Sequence, residues 1–204
     1  MDKYYARVCY NTNGWRLPSG DAAKFEVDSF VARHRFGYEE WLFNFTMWNI
    51  NGYHYAFLQP VEDSFKTKRG RTIDVLLWTI DPDKRRVCVG EIKNCEVLSA
   101  ARSRGVFEHH HQAKDWLSLM KKDLSSVNGT GADLSQDGLF NIRFRPKDAI
   151  QYDDPLPAAK STDRILKLAR YKLVAATESE VNAQWTIRTR KGSTTAPTAL
   201  RAYP

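Results

Sequence analysis

The sequence predicts an α+β fold, in which helices pack around a small curved β-sheet or β-barrel. The chain has 204 residues, of which 42% are hydrophobic, enough to build the core of one domain of ordinary size. At least five short apolar or alternating runs are bounded by turn residues, a pattern typical of strands. Two stretches with helical spacing come late in the chain, so these helices are expected to pack around the sheet.

The predicted strands begin near the N-terminus. Residues 4–10 alternate loosely and are followed by an Asn-Gly turn, and the aromatic-rich run 53–58 follows a second Asn-Gly pair. Residues 72–80 and 86–98 lie on either side of Asp81-Pro82-Asp83, whose turn chemistry predicts a β-hairpin.

The last predicted strand covers residues 139–144 and stops before Pro146. Alternation would place Phe140, Ile142 and Phe144 on one face and Asn141, Arg143 and Arg145 on the other. Helical spacing of apolar residues predicts one helix from Val106 to about Leu124 and a second from about Asp163 to Ala176.

The chain is expected to divide into three parts. Residues 1–154 would form the main domain, and residues 155–187 a C-terminal helix with a flanking segment packed on it. Residues 188–204 are rich in Arg, Lys, Thr, Ala and Pro, a composition typical of a linker. A basic linker of this kind is expected to lead to a further effector domain.

The overall charge points to a polyanionic partner. Lys and Arg number 31 against 24 acidic residues, a net charge of +7, which favours nucleic acid as the partner, although an inert basic surface is the alternative. No apolar run is long enough to span a membrane and the N-terminus is unlike a signal peptide, so a cytoplasmic protein is expected. Cys9, Cys88 and Cys95 lie in predicted strands and are interpreted as reduced core thiols.

The segment after the first strand has the composition of a pocket for a planar polar ring. Asn11, Asn13 and Ser19 surround Trp15, so the aromatic face would stack on a ring while amides and a hydroxyl read its edge. A turn with Trp15 packed on the core is the alternative. Trp48 has a similar setting beside Asn49 and Gly52, and both tryptophans are expected to be accessible.

A hydrolytic site is a competing interpretation. Asp74 and the Glu91-Ile92-Lys93 motif lie on the two predicted arms of the hairpin, the arrangement with which restriction nucleases hold a divalent metal. The motif is short, and its residues would equally form the polar face of a strand.

Two further patterns are interpreted as structural. The consecutive histidines 109–111 point in three directions on a helix, since neighbours are offset by about 100°, so a solvated helix face is expected rather than a metal site. The cysteines have no evident histidine partner and are expected to be inert. No metal, cofactor or catalytic residue is therefore predicted by the preferred interpretation.

The order of several segments resembles YTH and EVE domains. Residues 5–12 resemble the opening strand of that superfamily, residues 89–97 a later strand with a Gly-containing start, and residues 140–150 its terminal strand and turn. The segments 11–15 and 37–44 are also similar to N-terminal sensor domains of bacterial modification-dependent HNH restriction enzymes.

This resemblance implies a PUA-like fold that binds double-stranded DNA, flips one modified base and holds it in an aromatic cage. The helix near residues 106–127 would be an insertion, and cleavage would belong to a fused C-terminal nuclease domain of the HNH class. The expected base is 5-methyl- or 5-hydroxymethylcytosine; an N6-methyladenine reader or an RNA reader of the same fold remain alternatives. The expected pocket residues are Trp15, Trp41, Trp48, Asn11, Asn13, Ser19 and Tyr53. The expected phosphate contacts are Arg16, Arg143, Arg145, Lys167 and Arg170.

Overall fold

The structure is a computed structural model, and it describes residues 1–27, 29–62, 70–109, 111–131, 134, 139–157 and 164–177. Within these ranges the backbone alone is described at residues 107, 111–114 and 154–157. The fold is α+β, with one large mixed sheet and few helices.

Eight strands form a single open sheet. Their order is β2-β3-β6-β5-β4-β1-β8, and β7 also pairs with β5. The pair β1/β4 is parallel and the other pairs are antiparallel. The strands are β1 (Lys3–Arg7), β2 (Asn49–Ile50), β3 (Tyr53–Ala56), β4 (Thr72–Ile80), β5 (Arg86–Val97), β6 (Ile142–Phe144), β7 (Ala149–Pro157) and β8 (Val174–Ala175).

The β4–β5 hairpin confirms the prediction from the Asp81-Pro82-Asp83 turn. Asp81 closes the turn by accepting hydrogen bonds from the backbone N–H and the side chain of Arg85, and Lys84 takes the left-handed conformation (φ 63°). The long strand β5 then pairs with β6 near its C-terminal end and with β7 over its earlier residues. This hairpin is therefore the centre of the sheet.

Apolar residues cover both faces of the sheet, because successive side chains of the central strands point to opposite faces and are buried on both. On β4, Val75 and Leu77 face one core cluster while Leu76 and Trp78 face another. A further buried group, which we name the aromatic cluster, includes Phe36, Trp41, Trp48, Tyr55 and Phe140. It lies beneath the helices.

The α-helical segments of the described ranges are α1 (Phe30–His34), residues 59–62, α2 (Ala100–His109) and α3 (His111–Ser126). The helix predicted from Val106 begins earlier because Ser99 caps α2, accepting a hydrogen bond from the backbone N–H of Arg102 at 3.2 Å. Its described residues are 100–109 and 111–126. None of the helices that the structure describes is both long and apolar enough to cross a bilayer.

The predicted helix over residues 163–176 is wrong in the part that the structure describes. Arg164–Lys167 form one 3-10 turn, and Val174–Ala175 form the edge strand β8 against Tyr4 and Tyr5. The apolar residues of this segment pack against the sheet without forming a helix: Ile165 is buried, and Leu168 packs in the same cluster. Residues 188–204, the predicted linker, lie outside the described residues.

Two other expectations need correction. The last predicted strand is shorter than expected, and Asn141 is buried instead of sharing a polar face with Arg143. Its side-chain oxygen accepts from the Leu58 N–H and its amide donates to the Leu58 carbonyl, both at 2.9 Å. Strand β7 covers Ala149–Pro157.

Candidate functional site

A small cavity in the aromatic cluster is the closest counterpart of the predicted aromatic cage. It encloses about 10 Å³, room for about one water molecule. It lies between the 3-10 turn Tyr38–Trp41, the β2–β3 region and α3. The lining residues are Tyr38, Trp41, Trp48, Tyr55, Ala56, Phe57, Met120 and Leu139. Five aromatic side chains thus converge on one space, and two of them, Trp41 and Trp48, were predicted as cage residues.

Trp48 is held in a conformation that is rare for a bulky residue. Its φ is 57°, in the left-handed region, which costs of order 1–3 kcal/mol. Ring contacts with Trp116 of α3 (4.8 Å between centroids) and with Phe140 (5.5 Å) fix the indole in place. Trp48 is only 3% exposed, so the expectation that it is accessible is wrong.

Helix α3 is joined to the cavity by a polar contact as well as by packing. The Trp41 indole N–H donates to Asp123 Oδ2 at 3.0 Å. Burial raises the pKa of the Asp123 carboxyl, and the hydrogen bond from Trp41 opposes that shift. Since Met120 of the same helix lines the cavity, α3 forms one wall of it.

Two tyrosines of β3, Tyr53 and Tyr55, contact Arg143 of β6 and Arg145, which directly follows that strand. The guanidinium carbons of Arg143 and Arg145 lie 4.3 and 4.7 Å from the centroid of the Tyr53 ring. Arg143 also donates to the Tyr55 hydroxyl at 3.2 Å. We name Tyr53, Tyr55, Arg143 and Arg145 the Tyr–Arg ladder. It lies beside the cavity, because Tyr55 belongs to both.

The two arginines of the ladder differ in their availability to a phosphate. Arg143 is half-buried and donates to Glu96 Oε2 at 2.7 Å, so its charge is already neutralised. Arg145 is exposed, and among the described residues its side chain contacts the Tyr53 hydroxyl at 3.4 Å and stacks on the same ring. Arg145 is therefore the ladder residue best placed to contact an anion.

The other predicted phosphate residues are dispersed. Arg16 is exposed beside Gln151, with 3.5 Å between its Nη2 and the amide oxygen. Lys167 and Arg170 are exposed near β8, the edge of the sheet opposite to the ladder. The structure therefore does not bring the five predicted basic residues together on one surface.

The loop after β1 is held together by its own polar residues. Asn11 is buried, and its Oδ1 accepts from the backbone N–H groups of Asn13 (2.7 Å) and Trp15 (2.9 Å). Its amide donates to the Leu17 carbonyl and to Glu40 Oε1, each at 2.8 Å. The Asn13 amide donates to the Pro18 carbonyl. The Asn11 and Asn13 side chains therefore hydrogen-bond within the loop, which fits the alternative interpretation of this segment as a turn with Trp15 packed on the core.

Trp15 belongs to this loop and not to the aromatic cavity. It is 5% exposed, contrary to the expectation that it is accessible, and lies in the cluster with Leu42 and Phe43. Its indole N–H donates to the Cys9 carbonyl at 2.9 Å. Its φ of 53° is, like that of Trp48, left-handed. The two expected cage tryptophans thus occupy separate core clusters.

The sequence interpretation missed a pair of adjacent buried carboxyl groups, of which Glu40 holds the loop after β1. Glu40 Oε1 accepts from the Ser19 N–H (3.0 Å) and hydroxyl (3.3 Å) as well as from Asn11. Glu39 Oε1 accepts from the Gln59 N–H at 3.1 Å. Burial is the main cause that raises the pKa of each carboxyl to about 7. The sequence did contain a signal for this pair, because Glu39 and Glu40 are adjacent acids between the aromatic residues Tyr38 and Trp41.

The residues of the hydrolytic alternative lie on adjacent strands. Asp74 Oδ1 accepts from the Asn94 N–H at 3.0 Å, and Lys93 Nζ is 3.2 Å from Glu91 Oε1. Glu91 is fully buried and Lys93 is half exposed. Among the described residues, no group of three or more His, Cys, Asp or Glu side chains could hold a metal ion.

The remaining predicted patterns are structural where the structure describes them. The three cysteines are buried and unbridged, as expected for core thiols, and burial raises the pKa of the Cys9 and Cys95 thiols. His109 is exposed at the end of α2, whereas His110 and the side chain of His111 lie outside the described residues.

Comparison with protein-family models, with curated proteins and with solved structures finds no match to this chain.

Proposed function

We propose that this chain is a DNA-binding sensor domain that flips a modified base out of the duplex and holds it in the aromatic cavity. The observation that carries the proposal is the convergence of five aromatic side chains on one cavity beside the Tyr–Arg ladder. Aromatic faces stack on a base, and arginine beside them contacts the phosphates that flank it. The chain itself would bind and not cleave; cleavage would belong to a fused nuclease domain, with the HNH class expected from the resemblance.

A PUA-like fold is part of this proposal. Of the segments that resemble YTH and EVE domains, residues 5–12 begin on β1, residues 89–97 lie within β5, and residues 140–150 include β6. The central strands are thus the ones on which the resemblance depends. The described sheet is open, so the likeness would concern the arrangement of strands and not a closed barrel.

The energy balance favours a stacked, modified base. Extrusion costs a few kcal/mol, and stacking on aromatic residues returns about 1–3 kcal/mol per base. A methyl group placed in an apolar niche adds about 0.8 kcal/mol, which favours 5-methyl- or 5-hydroxymethylcytosine over cytosine. Ala56, Leu139 and Met120 supply apolar surface for such a group.

The cavity must widen to hold a base. A space of about 10 Å³ is far smaller than a pyrimidine ring. Helix α3 is the wall that would move, since its contacts with the cage are the Trp48–Trp116 ring pair, the Trp41–Asp123 hydrogen bond and Met120. Base binding would therefore be coupled to an outward shift of α3.

The test is an equilibrium binding titration at two salt concentrations. One duplex would carry cytosine, 5-methylcytosine or 5-hydroxymethylcytosine at a single site, a second would carry N6-methyladenine, and an RNA of matched sequence would compete. We expect a preference for a modified cytosine. Preference for N6-methyladenine or for RNA would reassign the ligand, and equal binding of every probe, with steep salt dependence, would reduce the chain to a basic nucleic-acid-binding domain.

Arg145→Gln should weaken binding to modified and unmodified duplexes by the same factor. The exposed guanidinium of Arg145 is expected to contact a phosphate, so its loss should reduce the slope of log K against log salt by about 1. Lys24→Gln is the control, because the Lys24 ammonium is already paired with Asp21 at 2.6 Å. An unchanged salt slope in Arg145→Gln would remove this residue from the interface.

The second candidate function is a metal-dependent nuclease built on Asp74, Glu91 and Lys93. It is favoured by the placement of all three on the paired strands β4 and β5. It is disfavoured by the complete burial of Glu91. Incubation with plasmid and Mg²⁺ or Mn²⁺ separates the two functions, since cleavage that disappears in Asp74→Ala would overturn the sensor proposal.

A further inference from the structure

A row of side chains across three neighbouring strands ends at Glu96. Arg143 of β6 lies directly opposite Tyr55 of β3 on one side and opposite Glu96 of β5 on the other. Directly opposite residues of an antiparallel pair project from the same face of the sheet, with Cβ atoms about 4.5–5.5 Å apart. Arg143 therefore reaches both neighbours: its Nη1 lies 3.2 Å from the Tyr55 hydroxyl, and its Nε and Nη2 each lie 2.7 Å from Glu96 Oε2. The strand pairing thus fixes the Glu96 carboxylate beside the Tyr–Arg ladder.

Glu96 also binds a second arginine, which comes from outside the sheet. Arg102 of α2 donates from Nη1 to Glu96 Oε1, the other oxygen of the carboxylate. The Arg102 side chain is 46% exposed, against 18% for Arg143 and 21% for Glu96. One carboxylate therefore bridges two guanidiniums, and the Arg102 side of this bridge is the more open to solvent.

Three arginines are thereby joined beside the aromatic cavity, and we name Arg102, Arg143 and Arg145 the arginine strip. Arg102 and Arg143 share the Glu96 carboxylate. Arg143 and Arg145 share the ring of Tyr53. The strip therefore extends the Tyr–Arg ladder from β3 and β6 onto α2.

A DNA phosphate would bind the arginine strip in the same way as the Glu96 carboxylate does. The guanidinium group presents paired N–H donors whose geometry fits carboxylates and phosphates alike. Arginines beside a base pocket would direct such donors to the backbone that flanks the flipped base. Between Arg102 and Arg143, however, the carboxylate of Glu96 already occupies the place of an anion.

We propose, on the basis of the sensor function above, that Glu96 is an internal substitute for a DNA phosphate, which keeps Arg102 and Arg143 from the DNA backbone. Phosphate contacts supply affinity that carries no sequence information. Because Glu96 neutralises two arginines of the strip, fewer phosphate contacts form on any duplex, and binding depends more strongly on the flipped base. Glu96 is thus a specificity-determining residue, although it does not line the aromatic cavity.

Glu96→Gln tests this role in titrations of an unmodified duplex. The variant keeps the length of the side chain and its ability to accept hydrogen bonds, but it no longer neutralises the arginines. We expect tighter binding and a slope of log K against log salt that is steeper by about 1, because the exposed Arg102 can then contact a phosphate. Between roughly 50 and 200 mM salt, affinity should fall about threefold more than that of the wild type. The double variant Glu96→Gln/Arg102→Gln should return to the wild-type slope.

Asp83→Asn is the matched control for net charge. Asp83 lies in the β4–β5 turn, at the opposite end of β5 from Glu96, and its Oδ2 is 2.9 Å from Arg85 Nη2. The change therefore removes the same charge beside another exposed arginine, and we expect it to keep the wild-type slope.

Arg102→Gln gives a second test, which decides the matter if Glu96→Gln does not fold. Its side chain is half exposed, and the backbone N–H that Ser99 caps is retained. Because Glu96 holds Arg102 away from the DNA, this variant should keep the wild-type slope, in contrast to Arg145→Gln.

A wild-type slope in folded Glu96→Gln, an equally steep slope in Asp83→Asn, or a reduced slope in Arg102→Gln would each overturn this role of Glu96. These slopes are measured on unmodified DNA, so preference for a modified base is a separate result. The expected slopes without such a preference would keep the role of Glu96 and overturn the sensor function, whereas a preference with unchanged slopes would do the reverse. Absence of binding to any duplex at low salt would overturn both.

Discussion

Trp48→Ala should abolish the preference for modified over unmodified duplex, whereas Trp15→Ala should preserve it. Both tryptophans are more than nine-tenths buried and both have left-handed backbones, so the two truncations are matched in their local disturbance. Only Trp48 lines the aromatic cavity. The ratio of the two dissociation constants, measured for each variant, therefore separates a base-stacking role from a general loss of packing.

Stability must be controlled in this comparison. Truncation of a buried Trp to Ala costs about 3–5 kcal/mol, a large part of the typical stability of a domain. Urea unfolding would establish the folded fraction, and Trp48→Phe provides a milder variant that keeps an aromatic face. We expect Trp48→Phe to retain part of the preference. A Trp48→Ala variant that is folded and still prefers modified DNA would show that the aromatic cavity is not the base site.

The central hairpin could be predicted from the sequence because its signals are local. The apolar runs of β4 and β5 and the turn at Asp81 lie within 26 consecutive residues, from Thr72 to Val97, so no distant contact is needed to specify their pairing. The segment after Ser161 shows the opposite case. Its helical spacing was real, but pairing of Val174–Ala175 with β1 and burial of Ile165 decide its conformation.

The site was predictable only in part, because its residues are distant in sequence. Trp41 and Trp48 were identified from composition, but Tyr38, Phe57, Met120 and Leu139 reach the same cavity from separate segments. The sequence interpretation joined Trp15 to Trp48 because both lie near Gly and Asn. That local resemblance reflects the left-handed backbone that both adopt, and it holds no information on which cluster each ring enters.

Glu40→Ala should destabilise the fold more than any surface substitution, by about 2–6 kcal/mol, since each buried donor left unpaired costs about 1–3 kcal/mol. The change leaves the backbone N–H groups of Ser19 and Gly37 without their acceptor, and the Asn11 amide keeps only the Leu17 carbonyl. Loss of Glu40 also releases the loop that holds Trp15. Urea unfolding monitored by tryptophan fluorescence would measure the effect, with Lys24→Ala as an exposed control for which little change is expected.

The stability of the protein should also depend on pH through Glu39 and Glu40. Burial raises the pKa of both carboxyls from 4.5 to about 7, so between these values the folded state binds more protons than the unfolded state. The stabilising effect of protonation is complete below about pH 4.5 and is lost as the pH rises through about 7. The contribution of these two carboxyl groups to the free energy of unfolding therefore falls as the pH rises from about 4.5 to about 7. Glu40→Gln, which resembles the protonated acid, should reduce the slope, and Glu39→Gln/Glu40→Gln should nearly remove it. A double variant whose free energy of unfolding falls as steeply as that of the wild type between pH 5 and 7 would assign the titration to other groups.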